Sequence, residues 1–137
     1  MPDLSYVIHD LVLTMDAQGE AKLAPFDLSM RKFIALTVIS ENPGVTSRRL
    51  ASVLHVTEAG ASGIVKQLIT AGLIQDSSTP GSGRAKALTV TGVGAELLPR
   101  ATSALGESFD DVVRAAGEDP EDLKRRLQRV VGQLKRT

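Results

Sequence analysis

The sequence predicts a mainly helical fold with one small β-hairpin, the hairpin lying between helical flanks. Three observations predict it. Apolar residues recur at helical spacing along most of the chain, and a capping residue (Asp3, Ser29, Thr46, Thr57, Thr91 or Asp119) stands before each such stripe. The strand-like runs Leu73 to Asp76 and Ala85 to Val90 flank the turn-forming segment Ser77-Ser78-Thr79-Pro80-Gly81-Ser82-Gly83.

The elements follow in order. Leu4, Val7, Ile8, Leu11, Val12 and Met15 fall at i, i+3, i+4, i+7, i+8 and i+11, which predicts a first helix capped by Asp3 and ended by Gly19. After a loop with Pro25, Ser29 caps a second helix to about Ser40, with Phe33, Leu36 and Ile39 inward, and Asn42-Pro43-Gly44 stops it. Thr46 caps a short third helix whose buried face is Leu50, Ala51 and Leu54, with Val45 placed to staple onto Leu50. His55 and Val56 make a tight connection to Thr57, the cap of a fourth helix carrying Ala61, Ile64, Val65 and Leu68 inward and closed by Gly72. Beyond the hairpin, Thr91 caps a fifth helix read as continuous to about Ala116, bent near its start by Pro99. Asp119-Pro120-Glu121 opens a sixth, with Leu123, Leu127, Val130, Val131 and Leu134 on one side.

At 137 residues the chain fits one domain. There is no cysteine, so thiolate metal sites and thiol redox sensing are excluded, and two histidines far apart, His9 and His55, do not suggest zinc. No cofactor is expected. With no Trp, one Tyr and three Phe, the chain has few rings on which unpaired bases could stack, so duplex DNA is a better-matched partner than single strands. Neither a signal peptide nor a membrane-spanning run is recognisable, which predicts a cytoplasmic protein.

Charge sharpens this. Sixteen bases balance sixteen acids overall, yet residues 45–91 hold five bases (Arg48, Arg49, Lys66, Arg84, Lys86) against two acids (Glu58, Asp76). Residues 1–44 hold three bases and six acids, and residues 92–137 hold eight of each. The surplus therefore sits where two short helices precede a basic hairpin, the order of a helix-turn-helix with a wing. Scatter in a chain of this size is the plain alternative.

In that arrangement the fourth helix reads the major groove. Glu58, Ser62 and Gln67 could touch base edges and Lys66 could reach guanine or phosphate, but Ala59, Gly60, Ala61 and Gly63 offer little more than close approach, a thin alphabet for readout. Grip would come from the helix starts at Thr46, Ser47 and Thr57, from Arg48 and Arg49 toward phosphates, from Arg84 in a narrow minor groove, and from Lys86 toward phosphate. The first, fifth and sixth helices carry more apolar surface than one small core needs, so they either pair with a second copy or fold back on their own chain. A small-molecule pocket would lie between the first, second and fifth helices.

The chain resembles the MarR family of winged-helix transcriptional regulators. The resemblance rests on Leu28-Ser29, Leu50-Ala51, Ser62-Gly63-Ile64-Val65-Lys66-Gln67-Leu68, Gly72-Leu73-Ile74, Arg84 and Val90-Thr91-Gly92-Val93-Gly94. It implies a single domain over residues 1–137, with a winged helix-turn-helix at 28–91 and dimerisation helices at 1–27 and 92–137. It further implies a homodimer on a pseudo-palindromic operator, a wing arginine at Arg84, and repression relieved by a small aromatic or anionic effector. Two departures stand out: Ser82 where members commonly carry an Asp that orients the wing arginine, and Gly63 where they often carry a base. Together with Gly60 they motivate an alternative, a winged-helix protein- or ligand-binding module with little DNA affinity. An enzyme is disfavoured, because no nucleophile–base pairing, phosphate-binding glycine loop or metal-ligand spacing is present, and Gly81-Ser82-Gly83 lacks the strand-to-helix setting of a nucleophile elbow.

Overall fold

Local capping determines where most helices begin. In the computed structural model, which describes residues 3–78 and 86–137, the order is α1 (Leu4–Leu23), a 3-10 turn (Ala24–Phe26), α2 (Met30–Glu41), α3 (Ser47–Leu54), α4 (Glu58–Thr70), β1 (Ile74–Asp76), β2 (Leu88–Val90), α5 (Gly92–Leu105), α6 (Phe109–Ala115) and α7 (Pro120–Arg136). Asp3, Ser29, Thr46 and Thr57 each accept a backbone N–H from three residues on, an interaction worth about 1 kcal/mol per helix. The Thr91 hydroxyl accepts from Gly94 N (3.2 Å) and donates to Gly72 O (2.6 Å), so one side chain starts α5 and ties it to the end of α4.

By its contacts the chain divides into two compact units, Met1–Leu105 and Gly106–Thr137. The first holds the main core, in which Leu23, Leu36, Ile39, Leu50, Val65, Leu68, Ile74 and Leu88 are fully buried. α2 lies at its centre, packed on α1, α3, α4, α5 and β2. The strands pair antiparallel with Ile74 opposite Val90, Gln75 opposite Thr89 and Asp76 opposite Leu88. The second unit contains α6 and α7, with Val113 its only buried apolar residue among those described.

Several expectations need correction. Gly19 does not end α1, which continues to Leu23; its bare Cα lies against Met30, where a Cβ would collide with the methionine tip, so glycine permits the close crossing of α1 on α2. The fifth predicted helix is two helices, because Gly106 adopts φ +76° and Ser108 then accepts from Asp111 N as a fresh cap, separating α5 from α6. Pro99 lies within α5. Asp119 occupies the cap position of α7 but its side chain makes no capping bond. The strands are shorter than expected, beginning at Ile74 and Leu88, and Val45 forms a bridge to Leu88 that its proposed staple role did not include. The α1 stripe is helical as predicted, yet it lies outside the core: Leu4 is 72% exposed and Val7 50%.

Candidate nucleic-acid interface

The α3–α4 turn sets the geometry of the site. Leu50 and Ala51 bury the inner face of α3, and Ala61, Val65 and Leu68 bury that of α4. His55 joins them in the left-handed region (φ 55°), its N–H reaching Ser52 O and Ala51 O. A non-glycine residue rarely sits there, and the short turn it permits is what sets the two helix starts close together.

Both starts are capped. Thr46 Oγ1 accepts from Arg49 N at 3.1 Å and Thr57 Oγ1 accepts from Gly60 N at 3.0 Å. Those hydroxyls are therefore occupied, and the first-turn N–H groups not served by the caps remain the donors available to a phosphate. Ser47 is half-buried at the first position of α3, while Arg48 and Arg49 are exposed beside it. Arg48 Nε lies 3.6 Å from Glu58 Oε1, which joins the first turn of α3 to that of α4. Both side chains are largely in water, so the pair contributes little to stability but lowers the net positive charge of this edge.

On α4, Ser62, Gly63, Lys66 and Gln67 are exposed on the side away from the core. A Cβ built at Gly63 meets nothing within 4 Å, so no packing in this chain requires glycine there. A Cβ at Gly60 would crowd Thr57 Oγ1 at 3.2 Å, so that glycine helps accommodate the cap. One glycine has a structural reason, and the other leaves the outward face open.

At the wing, Lys86 is exposed at the start of the returning chain. Arg84, with Pro80, Gly81, Ser82, Gly83 and Ala85, lies outside the described residues. The base of the hairpin is held by a group that the sequence reading passed over. Asp76 Oδ1 accepts from Ser78 Oγ (2.7 Å), Ser78 N (2.9 Å) and Ala87 N (3.1 Å). The Ser78 hydroxyl above all, then the Ser78 N–H and, more weakly, the Ala87 N–H and the charge of Lys86, hold this carboxyl below its ordinary value against an opposing desolvation. A carboxylate two residues before a serine is an Asx-turn signal, but its partner Ala87 across the hairpin has no local signature.

A cavity of about 540 Å³ opens between α1, α2 and α3, with Asp16, Glu20, Met30, Arg31, Ile34 and Leu54 among its walls. This cavity lies between α1, α2 and α3, not between the first, second and fifth helices where a small-molecule pocket was expected. Among the described residues there is no cluster of His, Cys, Asp and Glu placed to hold a metal ion, and no helix is long and apolar enough to cross a membrane.

A capped two-helix turn followed by a two-stranded hairpin, on a core centred on α2, defines a winged helix-turn-helix protein. Residues 26–85 match a family model described as MarR family. The HTH-type transcriptional repressor Rv2887 of Mycobacterium tuberculosis is 26% identical over 128 residues, covering 93% of this chain and 92% of the repressor. A crystal structure of the same M. tuberculosis protein in complex with salicylic acid superposes with a TM-score of 0.66 at 25% identity, covering 98% of this chain and 97% of that one. The S. aureus MepR–DNA complex shares the fold at a TM-score of 0.79 and 20% identity, covering 100% of both chains. The chain is thus similar to the MarR family of winged-helix transcriptional regulators, in sequence pattern over residues 26–85 and in fold over nearly its whole length.

Proposed function

We propose that this protein acts in the cytosol as a homodimeric transcriptional repressor that binds a pseudo-palindromic duplex operator and leaves it on binding a small aromatic acid. The observation that carries the DNA reading is the juxtaposition of the two capped starts of α3 and α4 with exposed Arg48 and Arg49 and the open outward face of α4. Backbone grip comes from those starts, the α3 arginines, Lys86 and Arg84. Base readout is thin: Ser62 and Gln67 can meet base edges, Lys66 can reach a guanine or a phosphate, and Glu58 is engaged by Arg48.

The dimer reading is supported by α1, whose apolar stripe from Leu4 to Met15 stays partly exposed, from 37% at Ile8 to 72% at Leu4. Contiguous exposed apolar surface of this kind marks an interaction face. With residues 1–27 and 92–137 as the dimerisation region, a two-fold pair would present two α4 helices to half-sites about 34 Å apart. The effector reading is supported by the salicylic acid complex of the M. tuberculosis relative. Here the cavity between α1, α2 and α3 offers Met30, Ile34 and Leu54 as apolar walls for an aromatic ring and Arg31 as its one base beside Asp16 and Glu20, so the apolar walls and not net charge support the reading.

The test is a gel shift on duplex fragments selected from genomic DNA, with and without salicylate. A shift at low salt that salicylate abolishes is expected. The second reading, a protein- or ligand-binding module, is favoured by the weak side-chain set at Gly60 and Gly63 and by the Arg48–Glu58 pair. No shift at low salt, with salicylate still bound, establishes it in place of the first.

A further inference from the structure

A second positively charged feature joins the start of α2 to α4. A cavity of about 580 Å³ separates the first turn of α2 from the outer half of α4, and its walls include Asp27, Lys32, Gly63, Lys66 and Gln67 over a floor of Leu28, Leu68 and Leu73. Lys32 and Lys66 enter it from elements far apart in sequence. Among the described residues, neither ammonium is within ion-pair distance of a carboxylate, Asp27 included. Two lysines and one aspartate leave the cavity with one net positive charge.

We propose that Lys32 and Lys66 jointly hold one phosphodiester of the duplex, making Lys32 a DNA-contact residue and assigning Lys66 to backbone rather than base. The proposal rests on the reading that α4 enters the major groove. A helix in that groove has sugar-phosphate backbone along its flanks, and contacts there fix register without reading sequence. The cavity continues from the outward face of α4 at Gly63, where no side chain obstructs it, so a backbone alongside α4 has a path into it. One phosphodiester carries the single negative charge that the cavity lacks. Lys32 escapes notice in the sequence because it lies in the acid-rich stretch before residue 45, and only the fold brings it beside Lys66.

The experiment is a salt series of duplex binding by the parent protein, Lys32→Gln, Lys32→Arg, Asp27→Asn and, as a control for loss of a lysine that does not line the cavity, Lys135→Gln in α7. Each lost phosphate contact lowers the slope of log K against log salt by about 0.9. The expected result is a slope lower by about 0.9 per protomer for Lys32→Gln, unchanged slopes for Lys32→Arg and Lys135→Gln, and tighter binding by Asp27→Asn, which removes the opposing carboxylate. A Lys32→Gln slope equal to that of the parent, or a Lys135→Gln loss as large, overturns the lysine pair and leaves the DNA reading standing. No duplex binding by the parent overturns both. Asp27→Asn keeps the test informative should Lys32→Gln fold poorly, since asparagine tolerates the left-handed conformation at Asp27 (φ 56°), and unchanged affinity there contradicts the proposal.

Discussion

The α2-centred core and the outer face of α1 are built from similar aliphatic residues at similar helical spacing, but they meet different surroundings. Leu36, Ile39, Leu50 and Leu68 are completely buried, whereas Leu4, Val7, Leu11 and Val12 remain partly exposed. α7 resembles α1 in this respect, with Val130, Val131 and Leu134 about half-exposed or more. Periodicity therefore specifies a helix and an apolar face, but not what covers that face. Where a second element of the same chain meets the stripe it becomes core, and where none does it is a candidate interface.

The largest effect expected from this contrast is at the core. Leu36→Ala should cost about 2–5 kcal/mol in chemical denaturation, the range for removing a fully buried leucine side chain. Leu11→Glu, on the α1 face, should leave secondary structure intact but shift sedimentation from dimer to monomer. Equal loss of fold in the two variants breaks the comparison.

A pair of glycines sharpens it at smaller scale. A Cβ on Gly94 would run into the Leu73 carbonyl and Val90, so Gly94→Ala should lose about 1–3 kcal/mol as α5 is forced off the hairpin. Gly63→Ala meets open space and should gain about 1 kcal/mol from helix propensity. Thermal melts of the two variants should move in opposite directions.

Smaller again is the acid response of the wing. Because the Asp76 carboxyl is held below its ordinary value in the fold, its stabilising contribution is fully present above the unfolded pKa of about 3.9 and is lost as pH falls through the depressed folded value. Asp76→Asn should accordingly show a shallower loss of stability on acidification below about pH 4. Amide exchange at Ser78 and Ala87 checks this, and identical acid profiles for variant and parent remove Asp76 from the account.

The smallest expected effect concerns Glu58. Glu58→Gln frees Arg48 and should tighten binding to every duplex by a few-fold, as one more phosphate contact would. A loss confined to duplexes of one sequence would instead restore Glu58 as a base-reading group.

Most of the fold was legible because its signals are local. Ser29, Thr46, Thr57 and Thr91 announce helix starts within three residues of the bonds they make, and Gly72 (φ +76°) marks the end of α4. The break at Gly106 was equally local, but Leu105, Phe109, Val112 and Val113 keep helical spacing across it, and that spacing concealed the stop and the new cap at Ser108. Gly19 shows the converse, since its fit against Met30 depends on how two helices cross. The exposed place of Arg48 and Arg49 in the capped first turn of α3 was legible too. The Arg48–Glu58 pair, the Asp76–Ala87 bond and the nearness of Lys32 to Lys66 arise only when distant segments meet.

If this winged helix grips duplex DNA chiefly through the phosphates, a fluorescence-anisotropy titration of a selected duplex across a salt series should show affinity that falls linearly with log salt at a slope of several units, and only a modest preference over a shuffled duplex of the same length. Affinity indifferent to salt, or no binding at low salt, would contradict that grip.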